Sequence, residues 1–265
     1  MDLTTIVGII LGIIAIVGGM IFKGASISAL INPAAIMIIL VGTTASVSIA
    51  FPGKNLKKFP TLLKIIFTNK KNQLTYQQIL EMFMRWTTES RKNGILSLEK
   101  ELKEIDDEFV RKGLKFVIDG VTAHEIEALL ENEIETMEER HAKGALLFTQ
   151  AGTYAPTLGV LGAVIGLVAA LGDLSDIEKI GHAIAGAFIA TLFGIFTGYV
   201  LWHPFANKLK QKSAEEMEKK KLVLQCLLLL QAGAFPFLME NRILSAVSET
   251  ERKLLSNKDK SGEKK

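Results

Sequence analysis

The chain has 265 residues, 49% hydrophobic and 22% charged, with a net charge of +3, 22 Gly, 6 Pro and one Cys; its mean hydropathy is +0.30. Charge this ordinary beside hydropathy this high requires the two to lie in different segments. That excludes an ordinary soluble enzyme with one amphipathic core, and equally a transporter made only of membrane spans. A lone Cys226 excludes an internal disulfide framework and any multi-Cys metal site, and the small net charge speaks against nucleic acid as a partner.

In chain order, four apolar runs cover residues 3–22, 30–51, 152–172 and 183–202, and none contains Asp, Glu, Lys, Arg or His. Each is about 20 residues long, the length of helix that crosses about 30 Å of hydrocarbon. The first run is a retained span rather than a leader, because no Lys or Arg precedes it and a second run follows a short gap holding Lys23. The fold class expected is all-α: a polytopic membrane protein with four transmembrane helices in two hairpins, so that both termini share one side. Residues 53–72 hold Lys54, Lys57, Lys58, Lys64, Lys70 and Lys71 and no acid, and residues 203–221 hold Lys208, Lys210, Lys212, Lys219, Lys220 and Lys221. The loops 23–29 and 173–182 hold one Lys each, Lys23 and Lys179. The positive-inside rule makes the lysine-rich side cytoplasmic, termini included. Both lysine clusters also suit anionic lipid headgroups.

Between the hairpins the periodicity is helical. A helix is expected over 76–92, stopped by Gly94, with shorter ones over 97–107 and 108–119. Another over 122–143 opens on Thr122 and Glu125 at capping-box spacing and runs into the third span. The fourth span continues past Pro204 into 208–230. Spans three and four therefore extend into a cytoplasmic helical domain, and the tail after residue 257 reads as disordered. The organisation expected is a transmembrane hairpin over 1–52 and a cytoplasmic helical domain over 53–151. A second hairpin over 152–203 and C-terminal helices with a tail over 204–265 complete it.

The chain carries no GxxxxGK[ST], HExxH or GxSxG motif, and His124, His141, His182 and His203 are scattered. Catalysis and a bound cofactor are not expected. Spans three and four are set apart by small residues: Gly152, Gly159, Gly162 and Gly166 in one, Gly186, Ala190, Gly194 and Gly198 in the other. Such stripes let helices approach closely. Pro156 also leaves the Gly152 carbonyl without its helical partner. Thr153, Thr157, Thr191 and Thr197 lie nearby and suggest a polar lining, although a hydroxyl bonded back to its own helix explains each one equally well. Membrane ion relays ordinarily use an ionisable residue such as a carboxylate, and these spans hold no Asp, Glu, Lys, Arg or His. If an ion path exists here, its carboxylate comes from another subunit.

The stretches AGTYAPTLGVLGAVIGL and HAIAGAFIATLFGIFTGYVLWHPFANKL, with SRKNGILSLE and EIEALLENEIETMEERH, resemble the MotA family. These are the A subunits of the bacterial flagellar motor stator, within the wider MotA/TolQ/ExbB proton channel group. The resemblance covers nearly the whole chain, and its motifs are specific in combination rather than singly. It implies a cell-membrane protein that forms a homo-oligomeric ring, a pentamer by the family pattern, around MotB. That single-span partner would supply the missing membrane aspartate, and proton flow would drive rotation through the rotor protein FliG. By correspondence, Pro156 and Pro204 serve conformational coupling, and Thr191 lies near the partner aspartate. Ala163 and Ala190 match the proton-driven pattern, and Gly159 and Thr157 join Pro156 in lining the path. Arg91 and Glu99 face the rotor; apart from the resemblance they read as a solvated surface pair worth under about 1 kcal/mol. An ExbB/TolQ-like energiser of an envelope complex and an autonomous channel or transporter are the alternatives.

Overall fold

The computed structural model describes residues 2–68, 74–172, 176–249 and 252. Lys70 and Lys71, the tip of the second expected outward loop at 173–175, and the tail after residue 257 lie outside the described residues. The described residues are helical with no strand, and they include four helices long and apolar enough to cross a membrane. This is an all-α polytopic fold. The spans begin with α1 (Leu3–Phe22) and α2 (Pro33–Ala50), joined through a short 3₁₀ turn at Ile27–Leu30. The 49-residue α7 (Ala123–Leu171) carries the third span, and α8 (Ile177–Phe196) carries the fourth. A π-helical segment, Thr197–Trp202, leads from α8 into α9 (His203–Gln231).

Contacts divide the chain differently from a cut at the span ends. One compact unit takes residues 1–69 and 140–212, the other 70–139 and 213–265. The difference comes from a segment in which no helix was expected. After α2 the chain makes α3 (Gly53–Leu56) and α4 (Phe59–Phe67), an elbow whose apolar side packs onto the bases of spans three and four. Phe59 stacks on Phe148 with ring centroids 5.1 Å apart, and Phe67 meets Phe205 edge-on at 5.7 Å. Leu62 fills the space over Gly144, where a Cβ would come within 3.1 Å of its Cδ2. Trp202 closes the cluster at 6.2 Å from both Phe148 and Phe205. Each aromatic pair contributes about 0.5–1.5 kcal/mol beyond its buried area.

The N-terminus is tied into the same unit by charge. The buried Asp2 carboxylate accepts from the Thr4 hydroxyl (2.7 Å) and pairs with Lys208 (2.9 Å) and Lys212 (3.4 Å). Lys212 also donates to the Ile65 and Thr68 carbonyls, each at 2.8 Å, at the C-terminal end of α4. These two of the six lysines in the second cluster are half-buried and already engaged by protein groups. The Thr4 hydrogen bond first, then the Lys208 ammonium, hold the Asp2 carboxyl well below the usual carboxylate range.

In the second unit, α5 (Tyr76–Asn93) is opened by a Thr75–Gln78 capping box and stopped at Gly94, which has φ +80°. The helix expected over 97–107 is instead a 3₁₀ helix, Ile95–Lys103, fixed by the Arg85–Glu101 ion pair and a Trp86 indole N–H donated to Glu101 (3.1 Å). The expected capping box of α7 is present: the Glu125 carboxylate accepts from the Thr122 N–H (3.2 Å) and the Thr122 hydroxyl accepts from the Glu125 N–H (3.3 Å). These elements, with α6 (Glu108–Ile118), the C-terminal half of α9 and α10 (Pro236–Ser245), bury Phe83, Trp86, Leu114, Leu130, Leu227 and Met239 as one core.

Asp2→Asn is expected to lower thermal stability by about 2 kcal/mol, the scale of hydrogen bonds to a charged group, because two ammonium groups lose their shared anion. A carboxyl whose pKa is depressed by folding contributes above its unfolded pKa of about 3.9 and loses that contribution only as the pH falls below it. The difference in melting temperature between wild type and variant should therefore be flat from about pH 5 to about pH 8. A difference that grows through that window would contradict the assignment.

Candidate functional site

The site is built on backbone contact between α7 and α8. A Cβ on Gly159 would come to 2.8 Å from the Ala190 carbonyl, and one on Gly194 to 2.7 Å from the Ala155 carbonyl. Gly162 meets the Ala190 methyl at 3.0 Å, and Gly166 meets the Ala183 carbonyl at 3.2 Å. The order of contacts runs in opposite directions along the two helices, so they are antiparallel, joined along a seam of small residues. Only helices without side-chain volume at these positions can approach so closely. Gly159 and Ala190, expected in a lining, are buried in this seam. Their small size here serves the close packing that such stripes permit.

The prolines act on the same seam. The Gly152 carbonyl that Pro156 deprives of a partner lies against Gly198: a Cβ there would meet that oxygen at 2.8 Å and the Pro156 Cγ at 2.8 Å. It faces the neighbouring helix and not a wet cavity. Across from it lies the π segment, in which the His203 N–H reaches back five residues to the Gly198 carbonyl. Pro204 accounts for this widened turn. It lacks an N–H and would crowd the Val200 carbonyl in an α-helix, and one extra residue per turn relieves the clash. The π turn was not anticipated; a proline inside a continuing helical run was its signal.

One residue beyond the seam, the geometry becomes directional. Ala163 follows Gly162 and Thr191 follows Ala190, each turned about 100° from its neighbour. In antiparallel helices the same turn carries both residues to the same flank. Pro156, seven residues before Ala163, lies on that flank as well. α2 covers the opposite flank, with Gly42 against Leu158, Ile38 beside Gly162 and Asn32 beside Gly186. α1 approaches from behind α8, with Gly12 against Val200 and Phe196. The flank with Pro156, Ala163 and Thr191 carries exposed Val160, Leu167, Ile184, Phe188 and Ile195. Thr157 is turned a further 100° from Pro156, away from this group.

All four threonine hydroxyls donate to their own helix. Thr153 bonds the Thr149 carbonyl (3.1 Å), Thr157 that of Tyr154 (2.7 Å), Thr191 that of Ala187 (3.2 Å) and Thr197 that of Phe193 (2.7 Å). The bland explanation of each threonine therefore holds for the chain alone. A hydroxyl that has given its proton to a carbonyl still has lone pairs to accept with. On the exposed flank, Thr191 is thus an acceptor with its donor already engaged.

In the second unit, Arg91 and Glu99 flank Gly94 as expected and both are exposed. They do not behave as one solvated pair. The Arg91 guanidinium donates to the Gly233 carbonyl (2.8 Å) and lies 3.9 Å over the Phe235 ring. Lys100 beside Glu99 pairs with Glu89 (3.1 Å), and among the described residues Glu99 has no ion-pair partner. The Gly233–Phe235 cradle, far from Arg91 in sequence, carried no signal in the chain.

Residues 6–94 match the family model described as motility protein A N-terminal, and residues 101–221 match the MotA/TolQ/ExbB proton channel family. The chain is 49% identical to motility protein A of Bacillus subtilis, over 95% of its own length and 93% of that protein. It is 34% identical to motility protein A of Helicobacter pylori, over 96% of its length and 98% of that protein. Among solved structures it is similar to the flagellar MotAB stator complex from Bacillus subtilis, with a TM-score of 0.90 over 95% of this chain and 98% of that one at 49% identity.

Gly194→Ala should force the seam apart, since its Cβ meets backbone that cannot give way; about 1–3 kcal/mol of destabilisation is expected. Gly8→Ala is the control, since nothing lies within 4 Å of its Cβ. Equal loss of thermal stability in the two variants would show that the seam is not under contact.

Proposed function

The chain belongs to the motility protein A family of flagellar stator subunits, and from that premise we propose that it couples proton entry to rotation through the flank bearing Pro156, Ala163 and Thr191. The partner is a MotB-type single-span subunit whose membrane aspartate docks on that flank. The observation that carries this reading is an uncovered apolar flank with an oriented hydroxyl acceptor, in spans that hold no Asp, Glu, Lys, Arg or His over 152–172 and 183–202. A homo-oligomeric ring, pentameric by the family pattern, surrounds the partner. The protein lies in the cell membrane with its second unit and both termini cytoplasmic, as the lysine asymmetry supports.

The chemistry at Thr191 favours one charge state of the partner. With its own proton on the Ala187 carbonyl, the hydroxyl accepts from a protonated carboxylic acid. To serve an ionised carboxylate it must first release that carbonyl. Neutralisation of the aspartate by an incoming proton therefore changes its affinity for this flank. The charge lever is large, because an unpaired carboxylate in hydrocarbon costs several kcal/mol more than its acid. Subunits in different states of engagement then step around the partner. The membrane potential supplies about 2.3 kcal/mol per proton per 100 mV. Pro156 and the π turn before Pro204 are the places where spans three and four yield. Arg91 and Glu99 transmit the motion to the rotor protein FliG.

The ion follows from the ligand inventory. A dehydrated sodium ion needs several oxygens at short range. Ala163 and Ala190 supply none, the Gly152 carbonyl faces Gly198, and Thr191 alone offers a side-chain oxygen on the flank. Swimming should persist in sodium-free medium, resist phenamil and collapse with a protonophore. Thr191→Ala should reduce torque strongly and Thr191→Ser mildly. Rotation that stops on sodium withdrawal at constant proton-motive force would overturn the proton assignment.

For the rotor contact, Arg91→Glu should abolish most swimming while leaving membrane insertion and partner co-purification intact. Charge reversal at the facing FliG residue should restore part of it, since like charges at an interface cost affinity and on-rate. Normal swimming of Arg91→Glu would remove Arg91 from the rotor surface.

A further inference from the structure

The lysines at the base of the spans differ in what they already hold. Lys208 and Lys212 are committed to Asp2 and to the carbonyls that end α4. Lys54, Lys57, Lys58 and Lys64 are all exposed, and among the described residues none has an ion-pair or hydrogen-bond partner through its ammonium group. No acidic residue stands anywhere in residues 51–68 to neutralise them. Four unpaired charges on one short elbow repel one another and invite an anion.

Their level is fixed by the packing of this unit. The elbow starts three residues after α2 ends at Ala50. The inner side of α4 is sealed by Phe148, which precedes the third span, and by Phe205, which follows the fourth. With Trp202, these buried rings join the elbow to the bases of spans three and four, so it sits at the level where those spans end. The apolar side of α4 is thus spent on protein, through Leu62 and the fully buried Ile66. Its outward side, through Thr61 and Lys64, is polar and exposed, and Lys57 and Lys58 stand exposed just before its first turn.

We infer that the α3–α4 elbow is a binding site for the phosphate groups of anionic phospholipids, held by Lys54, Lys57, Lys58 and Lys64. A flexible ammonium on a long stem suits a phosphate as a point charge, and its methylenes lie along the acyl boundary. A lipid bound there bridges the end of the second span and the bases of the third and fourth. The side of the membrane concerned is the one assigned to the cytoplasm above. The site itself does not depend on the ion that is carried or on the rotor.

The test uses the full chain purified with its membrane partner and placed in phosphatidylcholine nanodiscs doped with spin-labelled phosphatidylglycerol. The fraction of motionally restricted label reports binding. One neutral substitution at a juxtamembrane lysine is expected to weaken anionic-lipid association about fivefold, the factor corresponding to a charge near the surface. Lys54→Gln, Lys57→Gln, Lys58→Gln and Lys64→Gln combined should reduce the preference for phosphatidylglycerol over phosphatidylcholine to near unity, and raised salt should do the same to wild type. Inorganic phosphate at millimolar concentration should not displace the labelled lipid. Unchanged preference in the fourfold variant, with the complex still assembled, would overturn the site. Displacement of the lipid by inorganic phosphate would overturn its assignment to a lipid and make it a soluble-anion site. Swimming that is normal in a variant lacking lipid preference would leave the site standing and separate it from the motor reading.

Discussion

Everything placed in the membrane here depends on two helix backbones touching. Gly159 and Gly194 meet each other's helices so closely that a methyl on either would strike a carbonyl oxygen. In hydrocarbon no hydrophobic effect pulls helices together, so packing quality decides association. This contact fixes the register of α7 against α8, and the register decides which residues emerge beside the seam. Shifting one helix by a single residue would turn Thr191 about 100° away from Ala163.

The same contact gives two prolines a shared role. Pro156 frees a carbonyl that rests on Gly198, and Pro204 sets the π turn in which Gly198 lies. Both irregularities therefore sit at one level of the seam, opposite each other. Backbone that departs from ideal geometry at membrane depth must be sheltered by protein, and here each helix shelters the other's departure. Below this level the aromatic cluster of Phe59, Phe148, Trp202 and Phe205 and the Asp2 ion cluster hold the bases of the spans together. The spans thus have a densely packed base below and the two backbone irregularities at one level of the seam above it.

The sequence made some of this plain and hid the rest for definite reasons. Spans were legible because uninterrupted apolar length admits few other outcomes. The Thr122–Glu125 capping box was legible because it is local. Small residues were legible as a stripe, but a lining and a packing seam both call for small residues. Only knowledge of what Gly159 and Ala190 touch separates the two. The elbow helix FPTLLKIIF does have an apolar and a polar side, but nine residues give fewer than three turns from which to read a period, and they follow directly on an apolar span. The Asp2 cluster and the Gly233–Phe235 cradle of Arg91 join residues far apart in the chain, where no local pattern announces a partner. The 3₁₀ helix at Ile95–Lys103 reflects tertiary contacts of Glu101 that overrode helical propensity.

The central claim is that the partner's carboxylate docks on the flank carrying Ala163 and Thr191, and disulfide cross-linking tests it directly. The native Cys226 is fully buried and its thiol is pushed up to about 12 by desolvation, so it contributes little background. A cysteine at Ala163, paired with one placed next to the partner's membrane aspartate, should cross-link in membranes under mild oxidation. A cysteine at Leu161, exposed on the far side of the same helix, should not. Efficient cross-linking from Leu161 and none from Ala163 would contradict the account.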